Sequence, residues 1–151
     1  MLFERVDRVI AVVDDIEKAK DFFSDLLGWQ FDDVIRDEAQ QLAVVHAARH
    51  GFELGMPMSD RHPIAAMESK FLAENGPGLR TFVIKVSNLD DAVAHFRARG
   101  IEPVAINAIG TAREAFYNAK DTYGVFFILN EYPDPHPMTR IGMEAQPHKA
   151  E

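Results

Sequence analysis

The 151-residue chain contains no cysteine, which excludes a disulfide framework and thiolate chemistry. Basic residues are also in the minority, since 16 Lys and Arg stand against 24 Asp and Glu and give a formal net charge of −8. Nucleic acids and anionic membrane surfaces are bound through clustered basic side chains, so neither is expected as a partner. Long apolar runs are absent too: Val125–Leu129 is far shorter than the roughly 20 residues of a membrane-spanning helix.

Several signatures of catalysis and export are also missing. There is no glycine-rich phosphate loop and no Gly-x-Ser-x-Gly turn, so nucleotide binding and serine hydrolase chemistry have no support. The N-terminus carries Glu4 and Asp7 instead of a signal-peptide pattern, and we therefore expect a cytoplasmic protein. What the chain does have is apolar material, at 47% of residues with 11 Phe, which suffices for a packed core.

The pattern of strand, helix and three strands occurs twice. In the first copy a β-branched strand, Arg5–Val13, precedes a helix capped by Asp14 or Asp15 and ended by Gly28. In the second copy the corresponding parts are Arg80–Val86, Asn88 and Gly100. The other predicted strands are Phe31–Arg36, Gln41–His46, Gly51–Met56, Glu102–Asn107, Arg113–Ala119 and Gly124–Asn130.

A shift of 73 residues superimposes the two copies. It places Val13 on Val86, Asp15 on Asn88, Ile16 on Leu89, Ala19 on Ala92 and Phe23 on Phe96. Matching caps and apolar stripes over this length indicate an internal duplication. We therefore predict an α+β fold of two β-α-β-β-β modules, 4–57 and 79–131, that form one domain over 4–131.

Two segments lie outside the modules. The linker 58–78 is rich in Pro and Gly and contains a short predicted helix, Ile64–Glu74. The C-terminal tail, 132–151, holds four prolines and has little periodicity. Two interpretations of the tail stay open: a frayed end, which we favour, or an arm that lies across a partner subunit.

Three segments carry a resemblance to a known family. Val6–Ala19, Phe71–Leu79 and Asp121–Gly124 resemble, in order and spacing, the vicinal oxygen chelate proteins, also called glyoxalase/bleomycin-resistance proteins. The layout is most similar to relatives of methylmalonyl-CoA epimerase. The resemblance covers residues 4–131 and implies an open curled sheet around a cleft that binds a small molecule, commonly completed as a homodimer.

The family resemblance also implies a divalent metal held by side chains from four strands. The four ligand positions fall on Arg8, Glu53, Thr81 and Ile128. A catalytic site needs about three protein ligands, and only Glu53 is a competent one here. Arg8 offers donors only and would repel a cation. We therefore expect no metal and no cofactor.

Strand alternation predicts which side chains would face the ligand. If Arg8 keeps the family's inward direction, the cleft face is mostly apolar with a few polar points, as small-molecule sites usually are. The predicted ligand-binding residues are Arg8, Ile10, Glu53, Thr81, Val83, Phe126 and Ile128.

Arg8 and Glu53 are opposite charges expected on neighbouring buried strands, where leaving either unpaired would be costly. Three interpretations are open. The pair could be a structural clamp, Arg8 could present its planar guanidinium to a ligand carboxylate or phosphate, or Arg8 could turn to solvent.

The remaining candidates have weaker patterns. His46, His50 and Glu53 could hold a metal, although we favour surface histidines on a hairpin for the first two. Trp29 and Phe31 could stack on an aromatic ligand, but more often such residues close a core. Glu114 and Tyr117 lie on opposite strand faces, so only one of them can reach a ligand. Solvent exposure is expected for His62, His95, His136 and His148.

Three functions follow. The first is metal-free binding of a small, largely hydrophobic molecule, as in the bleomycin-resistance branch that the chain resembles. The second is a metal-independent isomerase or lyase in which Glu53 is the base and Arg8 stabilises an oxyanion. The third is a metal-dependent lyase or dioxygenase with displaced ligands. An adjacent Arg lowers the pKa of a carboxyl and weakens it as a base, which favours binding.

Overall fold

The computed structural model describes residues 1–134 and residue 136. Over this part of the chain the helices are α1 (Ile16–Leu27), α2 (Pro63–Asn75) and α3 (Leu89–Arg97). The strands are β1 (Phe3–Val12), β2 (Ile35–Asp37), β3 (Leu42–Ala47), β4 (Phe52–Pro57), β5 (Gly78–Val86), β6 (Ala105–Ile109), β7 (Ala112–Tyr117) and β8 (Phe127–Glu131). The α+β class and the two β-α-β-β-β modules are confirmed. Strand β2 is shorter than predicted, with three residues.

The helix signals in the sequence act as predicted. The side chain of Asp15 accepts a hydrogen bond from the backbone N–H of Lys18 over 3.1 Å, and Asn88 accepts one from Asp91 over 2.9 Å. Each cap satisfies an N–H that has no partner within the helix. Gly28 ends α1 with φ at 66°, a conformation that costs glycine little.

The chain forms two compact units, of which Arg8–Thr81 is one. Its strand order is β2-β3-β4-β1, with β1 and β4 parallel and the other pairs antiparallel. Side chains from one face of these strands pack with α1 into an apolar core: Ala11, Val13, Ile16, Ala43, Val45 and Leu54. Because side chains alternate along a strand, Arg8, Ile10 and Glu53 lie on the other face.

The apolar stripe predicted for α1 is only partly buried. Ile16 is 1% exposed, and Ala19 and Phe23 pack against the core, but Phe22 and Leu26 remain 59% and 62% exposed. Phe22 and Leu26 stay exposed because the side of a helix that packs on a sheet does not cover all of its apolar positions.

The second unit combines Met1–Asp7 with the described residues from Phe82 onward. Its strand order is β5-β8-β7-β6, with β5 and β8 parallel. One face packs with α3 around the buried residues Val86, Leu89, Ala92, Val93, Ala115, Tyr117 and Leu129. Tyr117 thus belongs to the helix-side core. Glu114 is three residues away along β7, so its side chain lies on the opposite face.

The start of the C-terminal tail is packed, so the frayed interpretation is wrong there. Tyr132 is 7% exposed and donates its hydroxyl hydrogen to Asp7 Oδ1 over 2.5 Å. His136, which we expected in solvent, is 8% exposed and contacts Asn130 over 3.2 Å. The rest of the predicted tail, with His148, lies outside the described residues.

Within the described residues, none of the helices has the length and apolar character that crossing a membrane requires.

Candidate functional site

The backbone register of the unit Arg8–Thr81 positions three polar side chains together. Parallel pairing of β1 with β4 sets Ile10 beside Glu53, and antiparallel pairing of β3 with β4 sets His46 directly opposite Glu53. Cross-strand partners project from the same face of a sheet, and Arg8 shares the face of Ile10 because it lies two residues away along β1. The side chains of Arg8, His46 and Glu53 therefore converge.

Arg8 and Glu53 form an ion pair, as expected of opposite charges on neighbouring buried strands. Arg8 Nε donates to Glu53 Oε2 over 2.5 Å, and the same oxygen contacts His46 Nε2 over 2.9 Å. The exposed fractions are 7% for Arg8, 3% for His46 and 7% for Glu53, so the interpretation in which Arg8 turns to solvent is wrong. Glu53 Oε1 accepts no hydrogen bond from another described residue.

The charges around Glu53 keep its carboxyl ionised. Burial on its own raises the pKa of Glu53, but the positive charges of Arg8 and His46, together with hydrogen bonds from both, hold the pKa well below its usual range. An ionised carboxylate with so low a pKa is a weak proton acceptor at neutral pH. The geometry therefore suits Glu53 to fixing its two neighbours in place.

His46 was expected on the surface and is buried instead. His46 is the cross-strand partner of Glu53 because the two strands are joined through Ala48–Gly51. Its supposed partner His50 is exposed and stacks on Trp29, with ring centroids 4.3 Å apart and an angle of 4° between the planes. Trp29 therefore stacks on the protein's own imidazole and reaches the core edge at Phe52.

Two further charged side chains, Glu68 and Arg80, belong to the same unit and were not predicted from the sequence. Helix α2 packs against β4 and buries Glu68 to 9% exposure. Arg80 Nε donates to Glu68 Oε2 over 3.1 Å, and the Arg80 guanidinium lies 5.0 Å from the centre of the Phe71 ring. Burial raises the pKa of Glu68, the charge of Arg80 opposes this, and the negative charge of Glu53 adds to it.

The family's metal does not fit these residues. Arg8 stands at the first ligand position and holds the only carboxylate among the four positions through a hydrogen bond of 2.5 Å. A divalent cation on Glu53 would lie beside a permanently charged guanidinium. In the described part of the chain, no group of three or more His, Cys, Asp or Glu side chains is arranged to hold a metal ion.

Three predicted ligand residues belong to the second unit and form an apolar face there. Val83 pairs with Ile128 in the parallel register of β5 and β8, and Ile128 lies opposite Phe116 on β7. Phe126 places its ring 6.4 Å from that of Phe116. All four are buried, as is Thr81 at 6% exposure in the first unit. The same face of the second unit also carries Lys85, Glu114 and Asn130, each at most 6% exposed.

An open groove of about 840 Å³ in the unit Arg8–Thr81 lies elsewhere. It is lined by residues of α1 and the helix-side strand face, such as Val13, Phe22 and Phe52, and by none of the predicted ligand residues. Its size alone does not make it the functional site, since the buried charged groups lie on the opposite strand face.

Comparison with known proteins gives one family. The model of the Glyoxalase/Bleomycin resistance protein/Dioxygenase superfamily matches residues 5–129. No curated protein matches the sequence.

Several solved structures are similar. Methylmalonyl-CoA epimerase from Mycobacterium tuberculosis is 26% identical, with 87% of this chain and 90% of that chain covered and a TM-score of 0.72. Methylmalonyl-CoA epimerase from Streptomyces coelicolor, a variant in complex with 2-nitronate-propionyl-CoA, is 19% identical over 86% and 98% of the two chains, with a TM-score of 0.72. A hypothetical protein from Bacillus halodurans is 18% identical over 87% and 96%, with a TM-score of 0.75. The last two show the fold alone.

Proposed function

The chain belongs to the Glyoxalase/Bleomycin resistance protein/Dioxygenase superfamily, and we propose that within it this protein binds a small, largely hydrophobic molecule without a metal. The binding face would be the one that carries Arg8, Ile10 and Glu53 in the unit Arg8–Thr81. That Thr81, Val83, Phe126 and Ile128 also contact the ligand stays a prediction from the sequence.

One observation carries this proposal: Arg8 and His46 share a single carboxylate oxygen of Glu53. The one surviving ligand position is thereby committed to two nitrogen groups of the protein. Charge and hydrogen bonding that a cation would supply in a metal-dependent relative come here from a fixed guanidinium. An Arg held in place by a carboxylate loses little further freedom when it binds a carbonyl or carboxylate oxygen.

Approach to this cluster is proposed from the side of α2. The side chains of Glu68 and Arg80 retain 12% and 15% exposure, more than the 4% to 9% of His46, Arg8 and Glu53. They therefore form the more accessible part of the charged set, and a ligand would meet them first.

Binding can be tested with methylmalonyl-CoA as the first probe, because the similar enzymes are named for it. We expect calorimetry to give the same Kd before and after dialysis against EDTA, and elemental analysis to give less than one divalent metal per chain. Arg8→Gln should weaken binding about tenfold or more, while Arg97→Gln, at a surface ion pair, should not change it. Binding that requires added metal would refute the proposal.

A second candidate function is favoured by the comparisons, since the 26% identical structure is an epimerase. The chain would then be a metal-independent isomerase that moves a proton at the carbon next to a thioester carbonyl, with Arg8 stabilising the negative charge that develops on the carbonyl oxygen. Incubation of methylmalonyl-CoA with EDTA-treated protein in D₂O should add one deuterium at that carbon. No incorporation by protein that binds the probe would leave binding as the function.

The homodimer is part of the same proposal, because the family resemblance predicts it. Light scattering on the purified chain should give a mass near twice 17.0 kDa, and a mass of one chain would refute it.

A further inference from the structure

We propose that Glu68 on α2 is the proton-transfer group of this site, whereas Glu53 serves to hold Arg8 and His46. The assignment rests on the isomerase candidate described above and gives it a catalytic residue from the linker between the two modules. Glu68 takes the place of Glu53, which the sequence analysis named as the base of the isomerase candidate.

Glu68 lies in a buried position next to the strand that carries Glu53. Glu68 lies on the buried side of α2 together with Ile64 and Ala65, and α2 packs against β4, the strand that carries Glu53. A carboxylate on the buried side of a helix is unusual, because an apolar residue there would cost nothing to desolvate. Its presence next to a second carboxylate is therefore a feature that packing alone does not require.

The carboxylates of Glu53 and Glu68 differ in their hydrogen bonding. Glu53 Oε2 is shared between the Arg8 guanidinium and the His46 ring nitrogen. Glu68 accepts from Arg80 Nε through Oε2 alone, and Oε1 accepts no hydrogen bond from another described residue. An oxygen atom of Glu68 is therefore available to take and return a proton, while the adjacent oxygen stays fixed to β5.

The charges around Glu68 differ from those around Glu53. The charged groups that face Glu68 are Arg80 on β5 and Glu53 on β4, and Glu53 is itself ionised by Arg8 and His46. Burial and the nearby negative charge raise the pKa of Glu68, whereas that of Glu53 is lowered. Two carboxyls whose environments separate their pKa values in this way divide into a proton carrier and a fixed charge.

The chemical step is a simple proton transfer. Glu68 Oε1 takes the hydrogen from the carbon next to the thioester carbonyl, so that the C–H bond breaks and an O–H bond forms. The electron pair of the C–H bond moves into the enolate, whose oxygen is stabilised by the Arg8 guanidinium. A proton from solvent then adds to the opposite face of the carbon, and Glu68 releases to solvent the proton that it took, so that the other stereoisomer forms with no change of oxidation state.

A purely structural role would use the same contacts, since the Glu68–Arg80 ion pair also ties α2 to β5. The variant Glu68→Gln separates the two roles, because the amide oxygen can still accept from Arg80 while the side chain can no longer carry a proton. Glu74→Gln is the matched control: Glu74 lies on the same helix, is 60% exposed and pairs only with Lys70 at 3.8 Å.

The experiment measures deuterium incorporation into methylmalonyl-CoA in D₂O by mass spectrometry, together with the Kd of the thioester and the thermal melt of each variant. We expect Glu68→Gln to lose about 100-fold or more of the exchange rate, as removal of a general base does, with Kd within threefold and a thermal melt that is lowered by the lost charge pair but stays above the assay temperature. Glu74→Gln should match the wild type. The wild-type rate should fall on acidification with an apparent pKa above the usual value for Glu, about 4.3.

Three outcomes would overturn the assignment. If the wild type exchanges and Glu68→Gln retains at least a third of its rate, the isomerase stands and Glu68 is not its base. If Glu53→Gln stops exchange while Glu68→Gln does not, the base is Glu53. If the wild type binds the thioester and shows no exchange at all, the isomerase function fails and the role of Glu68 fails with it.

Discussion

The Nε atom of Arg8 lies 2.5 Å from Oε2 of Glu53, and each of the two residues is 7% exposed. A buried ion pair of this kind contributes little net stability when intact, because both charges have been taken out of water. Its removal on one side is costly, since the remaining charge stays buried without its partner. The pair is therefore best examined by asking what happens when one member or both are replaced.

Replacement of Glu53 alone should destabilise the protein strongly. In Glu53→Ala the Arg8 guanidinium keeps its charge and loses its carboxylate, so we expect the free energy of unfolding to fall by about 3–5 kcal/mol. The double variant Arg8→Met with Glu53→Leu should recover most of this loss. Urea denaturation provides the measurement, and Glu102→Ala, at an exposed pair with Arg97, is the control with a change below about 1 kcal/mol. A double variant no more stable than Glu53→Ala would contradict the argument.

The low pKa of Glu53 predicts how stability changes with acid. Because the pKa is lower in the folded than in the unfolded state, the stabilisation is fully present above the unfolded value, about 4.3, and is lost as the pH falls toward the folded value. We expect the unfolding free energy of the wild type to drop on acidification below about pH 5. Glu53→Gln, which does not titrate, should drop less. A constant difference between the two proteins from pH 7 to pH 3 would be inconsistent with this linkage.

His46 and His50 should differ sharply despite their proximity in sequence. His46→Ala removes a buried ring and a hydrogen bond to a charged group, so we expect a loss of about 2–3 kcal/mol. His50→Ala removes an exposed ring and should cost less than about 1 kcal/mol. Because His50 stacks on Trp29, the only Trp in the chain, tryptophan fluorescence should change in His50→Ala and not in His46→Ala. Equal losses in the two variants would refute the placement of His46.

The part of the site that could be predicted follows from the family resemblance, which puts Arg8 and Glu53 at ligand positions on neighbouring strands; alternation adds which neighbours share their face. The helix caps at Asp15 and Asn88 need only short-range signals. His46 could not be paired with Glu53 in this way, because the predicted ends of the two strands do not give the register. The observed connection through Ala48–Gly51 makes the two residues cross-strand partners.

Glu68 and His136 could not be placed from the sequence, because their surroundings are set by tertiary packing. A helix in the linker was predicted, but no periodic signal says which strand it will pack against or that Glu68 will lie on the buried side. Likewise, the proline-rich segment after Glu131 has no pattern that indicates burial. Tyr132 and His136 are buried, and each has a polar partner in the second unit: Asp7 for the Tyr132 hydroxyl and Asn130 for the His136 ring.

We expect the ion pair between Lys85 and Asp134 to help hold the segment Tyr132–Asp134 in place. Lys85 is 5% exposed, and its Nζ lies 2.6 Å from Asp134 Oδ2 and 4.4 Å from the centre of the Tyr132 ring. Asp134→Asn should lower the free energy of unfolding by about 1 kcal/mol, and a double-mutant cycle with Lys85→Met should give a coupling of similar size.

Exposed Asp60 provides the matched control for that cycle, and Asp60→Asn should leave stability unchanged. The carboxylate of Asp134 is largely open to solvent, which limits the coupling, but the ammonium group of Lys85 is not. Loss of Asp134 therefore leaves a buried cation whose remaining carboxylate partner among the described residues is Glu4, at 3.9 Å. Strictly additive effects of Asp134→Asn and Lys85→Met would show that the segment is held by Tyr132 and His136 instead.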